Sequence, residues 1–244
     1  MASIDIQQGR IVTRITKHLK DLKNRIAAAA IEAGRDPADI QILAVSKNQL
    51  SDAVREVAAA GITRFGENYL QEASKKIPEC GEDLEWHFIG AIQSNKTRTI
   101  ASSFDWVQTI ASSQIAQRLS RQRPEDSPDL QVCIQVQLDP EGKHGGAPVG
   151  EVPTLAKQID NLPRLRLRGL MGMPLPTPDI EKQRQPFREL HVLMERLRDQ
   201  GHHIDTLSMG MSGDLEAAIL EGATLLRIGT GIFGPREAPP TAAE

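Results

Sequence analysis

One lysine and two glycine-rich stretches carry the residues in this chain most suited to chemistry. Residues 40–47 read Ile-Gln-Ile-Leu-Ala-Val-Ser-Lys, a short apolar run that ends in Lys47. A strand that delivers an amine to its C-terminal end can place that amine out of water, which disfavours the charged form. A neutral amine attacks carbonyl groups and forms a Schiff base. The plainer reading is that Lys47 is the first solvated residue after a strand. The other two stretches are Gly210-Met211-Ser212-Gly213-Asp214 and Arg227-Ile228-Gly229-Thr230-Gly231. Small residues there let backbone N–H groups approach an anion, and Ser212 and Thr230 add hydroxyls. The alternative is that these are turn glycines, with Ser212 and Asp214 capping a helix.

These residues need elements to position them. A long amphipathic helix is predicted over 4–33, with Ile4, Ile11, Ile15, Leu19, Leu22, Ile26 and Ala30 at helical spacing. Strands are then predicted over 40–45, 62–65, 85–89, 104–108, 132–138, 165–171, 204–209 and 225–228. Helices over 52–60, 67–77, 94–101, 112–122, 151–161, 179–200 and 214–221 alternate with them, with Ser51 as N-cap of the first. Strict alternation implies a parallel sheet. Eight such units fit a single α/β domain, a (β/α)8 TIM barrel with an extra N-terminal helix, over 1–236. A doubly wound sheet is the competing architecture. The Pro/Ala-rich 237–244 reads as a disordered tail.

In a barrel, Lys47 and both glycine-rich loops fall at the C-terminal mouth. The loops after strands seven and eight are the usual phosphate site there. A phosphate grip beside a lysine suggests either a sugar phosphate, as in a class I aldolase, or pyridoxal 5'-phosphate (PLP). Arg227, two residues before Gly229, can face the same ligand. An arginine on a pyridine nitrogen would keep that nitrogen unprotonated.

Composition narrows the partners. The 244 residues are 39% hydrophobic and 25% charged, with net charge -3, which argues against nucleic acid or an anionic membrane. No apolar run approaches a membrane span, and no signal peptide is evident. Two distant cysteines, Cys80 and Cys133, suit a reduced, cytoplasmic chain. The six histidines show no metal-ligand spacing, so no metal is expected. His87, inside a predicted strand, reads as a satisfied core residue. Arg164, Arg166 and Arg168, alternating with leucines, read as one polar strand face.

Several stretches together resemble one family. They are Ala44-Val45-Ser46-Lys47, Phe65-Gly66-Glu67-Asn68-Tyr69-Leu70-Gln71-Glu72, Trp86-His87-Phe88-Ile89-Gly90 and Gln93-Ser94-Asn95-Lys96. Leu165 to Met171, Leu207 to Ser212 and Arg227 to Gly234 complete the ordered set. The chain resembles the pyridoxal phosphate homeostasis proteins, also called proline synthetase co-transcribed homologues, from about residue 10 to 236. The resemblance implies a barrel similar to the N-terminal domain of alanine racemase (PLP fold type III). It implies that Lys47 holds the PLP aldehyde and that Arg227 lies near the pyridine nitrogen. It implies phosphate binding at Met211, Ser212, Gly229 and Thr230, and a place near the cofactor ring for Asn68.

The chain departs from the family pattern at the rim. Gln135-Val136-Gln137, Lys143-His144-Gly145 and Met171-Gly172-Met173-Pro174 are variants there. Tyr69 is the single tyrosine and is expected at the rim, so a second acid/base opposite Lys47 is lacking. The expectation is a PLP-holding protein of vitamin B6 homeostasis, a monomer without catalytic residues that hands PLP to PLP-dependent apoenzymes. A weak amino-acid racemase and a class I aldolase are the alternatives.

Overall fold

The computed structural model describes residues 2–139 and 141–235, with side chains from residue 14 onward. The expected disordered tail, 237–244, and the side chains of Ile4 and Ile11 lie outside that set.

Eight parallel strands close into a barrel in sequence order. They are β1 (Gln41–Val45), β2 (Arg64–Glu67), β3 (Glu85–Phe88), β4 (Trp106–Ile110), β5 (Leu130–Val136), β6 (Leu165–Gly172), β7 (Thr206–Ser208) and β8 (Leu225–Ile228). Closure is made by β1 on β8, with Gln41 opposite Leu225 and Ala44 opposite Ile228. The doubly wound alternative is therefore excluded. Around the barrel run α1 (Ala2–Glu32), α2 (Ser51–Ala59), α3 (Leu70–Cys80), α4 (Thr97–Ser103), α5 (Ser113–Gln122), α6 (Val152–Asp160), α7 (Ile180–Asp199), α8 (Leu215–Leu220) and α9 (Thr230–Phe233). The stripe Ile15, Leu19, Leu22, Ile26 and Ala30 buries α1 against the barrel's outer core. No helix among the described residues is long and apolar enough to cross a membrane.

Some boundaries shift, with physical causes. Ile62 does not begin β2, because its N–H closes α2 on the carbonyl of Val57. Phe104 likewise terminates α4 on Ile100 rather than opening β4. Both are buried, so apolar character alone mimicked strand starts. Ser51 is not the N-cap of α2; Leu50 holds that position, and the Ser51 hydroxyl donates to the Glu79 carboxylate instead. Asp179 does cap α7, accepting from Glu181 and Lys182.

Candidate functional site

Lys47 stands in the turn directly after β1, half-buried. The main chain on either side of it is fixed. Ser46 extends the ladder by donating its N–H to Gly66 O at 3.0 Å. Lys76, on α3, donates from Nζ to Ser46 O at 2.7 Å, to Glu67 Oε1 at 2.7 Å and to Glu72 Oε1 at 2.6 Å. Ser46 Oγ adds a bond to Glu67 Oε1 at 2.6 Å. On the far side, Asn48 adopts φ 62° and donates its N–H to Glu72 Oε1 at 2.7 Å. A buried ion cluster thus grips both neighbours of Lys47. Burial pushes the Glu67 carboxyl up, although Lys76 and Ser46 oppose the shift.

The β1–β8 pairing brings the last loop alongside. A Cβ on Gly229 would stand 3.5 Å from Val45 O. Next to it the loops after β7 and β8 meet through hydroxyls. Thr230 Oγ1 donates to Ser212 Oγ at 3.2 Å, and Gly231 N–H donates to the same oxygen at 3.1 Å. A hydroxyl has two acceptor lone pairs and one proton. One proton serves the bond between the two hydroxyls, so the pair keeps one O–H to offer. Close packing makes the arrangement specific: a Cβ on Gly231 would lie 2.9 Å from Ile228 Cγ2 and 3.1 Å from Ser212 Oγ. Gly210 combines φ 93° with a Cβ position 2.6 Å from Ala218 Cβ, so a side chain there would be both strained and crowded.

Two polar groups order the loop after β7 further. Asp214 occupies the N-cap position of α8, but its Oδ1 turns back to accept Met211 N–H at 2.5 Å. The backbone donor of Met211 is therefore already engaged within its loop. Burial raises the Asp214 pKa, against the opposing pull of the Met211 N–H and Arg227. From outside the barrel, Arg25 of α1 donates to Ser212 O at 3.1 Å and pairs with Glu216 at 2.7 Å. His18 of α1 lies 3.0 Å from Ile232 O. The N-terminal helix thus braces both loops.

Arg227 lies deeper, opposite Leu43 in the β1–β8 register, and is buried. Nη1 donates to Ser208 O at 2.6 Å and to Ser208 Oγ at 2.8 Å; Nη2 donates to Gly172 O at 2.9 Å. These account for three of its five N–H donors. Burial lowers its pKa to about 10, with Asp214 resisting, so the group stays charged at neutral pH. On the other side of β1 from β8, Asn68 follows β2. Its Oδ1 is buried without a hydrogen-bond partner among the described residues. Tyr69, as expected, is at the rim, 56% exposed.

The variant rim residues make their own structure. Gln137 Nε2 donates to Asp139 O at 3.2 Å, and the Asp139 carboxylate accepts the N–H groups of Lys143 and His144 at 2.8 and 3.3 Å. His87 is bonded on both ring nitrogens, to Gln108 and Glu85, which agrees with its reading as a satisfied core residue. Arg168 caps the Trp106 ring at 4.9 Å and pairs with Asp205, a structural role. Sequence reasoning missed Lys76 and Arg25, which look like ordinary helix-surface cations. The i,i+4 pair Glu72–Lys76 was the available signal.

Comparison with known proteins agrees with this architecture. Residues 18–237 match the alanine racemase N-terminal domain family. The chain is 51% identical over 227 residues to the pyridoxal phosphate homeostasis protein of Pseudomonas aeruginosa, covering 93% of this chain and 97% of that one. It is 46% identical to its Escherichia coli counterpart, over 91% of this chain and 97% of that one. Among solved structures, PipY of Synechococcus elongatus with PLP bound superposes with TM-score 0.80 at 34% identity, over 90% of this chain and all (100%) of that one. Alanine racemase from Corynebacterium glutamicum, at 16% identity and TM-score 0.64, shares the fold over 91% of this chain and 60% of its own length. This chain belongs to the pyridoxal phosphate homeostasis proteins, built on the alanine racemase N-terminal domain fold.

Proposed function

We propose that the chain binds PLP in the barrel mouth, holds it covalently on Lys47, and serves PLP homeostasis by storing or handing on the cofactor. The observation that carries this reading is the convergence of the two hydroxyl loops beside the end of β1, with one hydroxyl proton of the Ser212–Thr230 pair still to be placed. The donor set suits the group. Ser212, Thr230 and the backbone of Gly229 take the phosphate. Met211 helps by shape, since its N–H belongs to Asp214. Arg227 directs an N–H at the ring nitrogen and, having no acceptor of its own, leaves that nitrogen unprotonated. The orphaned Asn68 Oδ1 gains a polar neighbour beside the ring. When bound, PLP supplies an aldehyde and a conjugated ring able to absorb electrons.

Two observations favour storage over turnover. A racemase needs a second acid/base facing the lysine across the ring. The single tyrosine sits exposed on the rim. The family name of the relatives, homeostasis proteins, points the same way. The test is to incubate the PLP-loaded chain with L-alanine and other L-amino acids and to measure D-product. No turnover is expected; multiple turnovers would establish the racemase instead.

A further inference from the structure

A line of polar side chains runs through the barrel interior from Arg227 to the opposite face. Ser208, Gln108 and His87 are fully buried and Arg227 nearly so. Arg227 Nη1 donates to Ser208 Oγ at 2.8 Å, and Ser208 Oγ donates to Gln108 Oε1 at 2.6 Å. Gln108 Nε2 lies 2.8 Å from His87 Nδ1, and His87 Nε2 lies 2.8 Å from Glu85 Oε1. Glu85 Oε1 accepts from Arg64 Nε at 2.9 Å at the strand starts.

Donor capacity and burial together favour one sense for the chain. A guanidinium only donates, so Ser208 Oγ accepts from Arg227. The Ser208 proton then goes to Gln108 Oε1. This turns the amide so that its NH2 group faces His87, whose Nδ1 must be bare. The imidazole is therefore neutral, with its proton on Nε2 directed at the Glu85 carboxylate. The opposite sense needs the Gln108 amide flipped and an imidazolium at His87, a charge on a side chain that is fully buried. Packing reinforces the orientation: the imidazole stacks on Trp106 with centroids 5.0 Å apart and planes at 10°.

We propose that His87, Gln108 and Ser208 are positioning residues for Arg227, forming a one-way relay that fixes the guanidinium and, through it, the grip on the cofactor ring. The clause about the cofactor rests on the PLP-binding reading above. The far end of the relay lies at the strand starts, where the Glu85 side chain is 35% exposed.

The test has two arms. In the first, 15N NMR of the His87 ring is recorded in the cofactor-free chain and in Arg227→Gln, whose amide can accept as well as donate. A neutral Nε2–H imidazole is expected, with resonances that move in Arg227→Gln. An imidazolium, an Nδ1–H tautomer or an unmoved spectrum overturns the relay. In the second, PLP retention and the absorbance of bound PLP are compared in His87→Phe, Gln108→Leu and His87→Asn. Phenylalanine keeps a ring over Trp106 but offers Gln108 no acceptor; the asparagine carbonyl restores one near the Nδ1 position. Retention about tenfold weaker and a shifted absorbance are expected for the first two, the scale of leaving one buried partner unsatisfied. His87→Asn should recover most of both. Unchanged retention and absorbance in folded His87→Phe and Gln108→Leu overturn the proposal. If the wild-type chain takes up no PLP, the binding reading fails, and the His87 spectrum still decides the relay.

Discussion

The ammonium of Lys76 lies 2.7 Å from the carbonyl oxygen of Ser46, the residue immediately before Lys47. One buried cation therefore holds the backbone that presents the amine, while neutralising Glu67 and Glu72. Lys76→Met should cost about 3 kcal/mol, because it strands a buried carboxylate. For a chain of this size that lowers the melting temperature by roughly 6–12 °C. Burial already favours the protonated form of Glu67, so the deficit should shrink at pH 5 and in the double variant Glu67→Gln/Lys76→Met. Thermal melts at two pH values check this; equal deficits at both would contradict it.

The phosphate loops should separate binding from folding. Ser212→Ala combined with Thr230→Ala removes two exposed or half-exposed hydroxyls that bond to each other and to the Gly231 N–H. The melting temperature should barely move, since neither carries buried apolar area. PLP retention should weaken by about tenfold or more, the scale of one or two lost hydrogen bonds to a charged group. Equilibrium dialysis against PLP reads the effect directly.

Arg25 offers a longer-range version of the same test. Its pair with Glu216 is about half-exposed, with side chains 44% and 41% accessible, so the ion pair itself contributes at most about 1 kcal/mol. Its bond to Ser212 O reaches the ligand loop from outside the barrel. Arg25→Ala should leave folding nearly unchanged and speed PLP dissociation severalfold. Stopped-flow release into an apoenzyme trap measures the rate.

His87 makes a prediction about pH. The groups acting on it are Glu85 and Asp105, which favour its charged form, and Arg64, which opposes it; burial dominates and lowers its pKa from 6.5. A histidine held neutral in the fold costs stability once the unfolded chain takes up a proton. Stability should therefore be full above about pH 6.5 and decline as pH falls below it. His87→Asn should flatten this slope between about pH 6.5 and 5.5, above the range where carboxylates titrate. Urea unfolding across those pH values reads it out.

The barrel and its mouth were legible because both rest on local pattern. Eight apolar runs alternating with amphipathic stretches specify the topology, and Lys47 and Arg227 are placed by the ends of β1 and β8. What escaped depends on contacts between distant residues. Lys76 reaches Ser46 across 30 positions, and Arg25 reaches Ser212 across 187. Ser208 meets Gln108 across 100. No periodicity carries such pairs. Met211 shows the same limit: its place in the loop was readable, but the commitment of its N–H to Asp214 was not. Strand starts slipped at Ile62 and Phe104 because a residue that closes a helix onto the core looks as apolar as one that opens a strand.

The most direct test of the account is to reduce the as-purified, PLP-loaded protein with borohydride, digest it and map the modified peptide by mass spectrometry. A pyridoxyl-phosphate mass on Lys47, absent from Lys47→Ala, is the predicted result. An adduct on another lysine, its persistence in Lys47→Ala, or a sugar-phosphate mass in its place would contradict it.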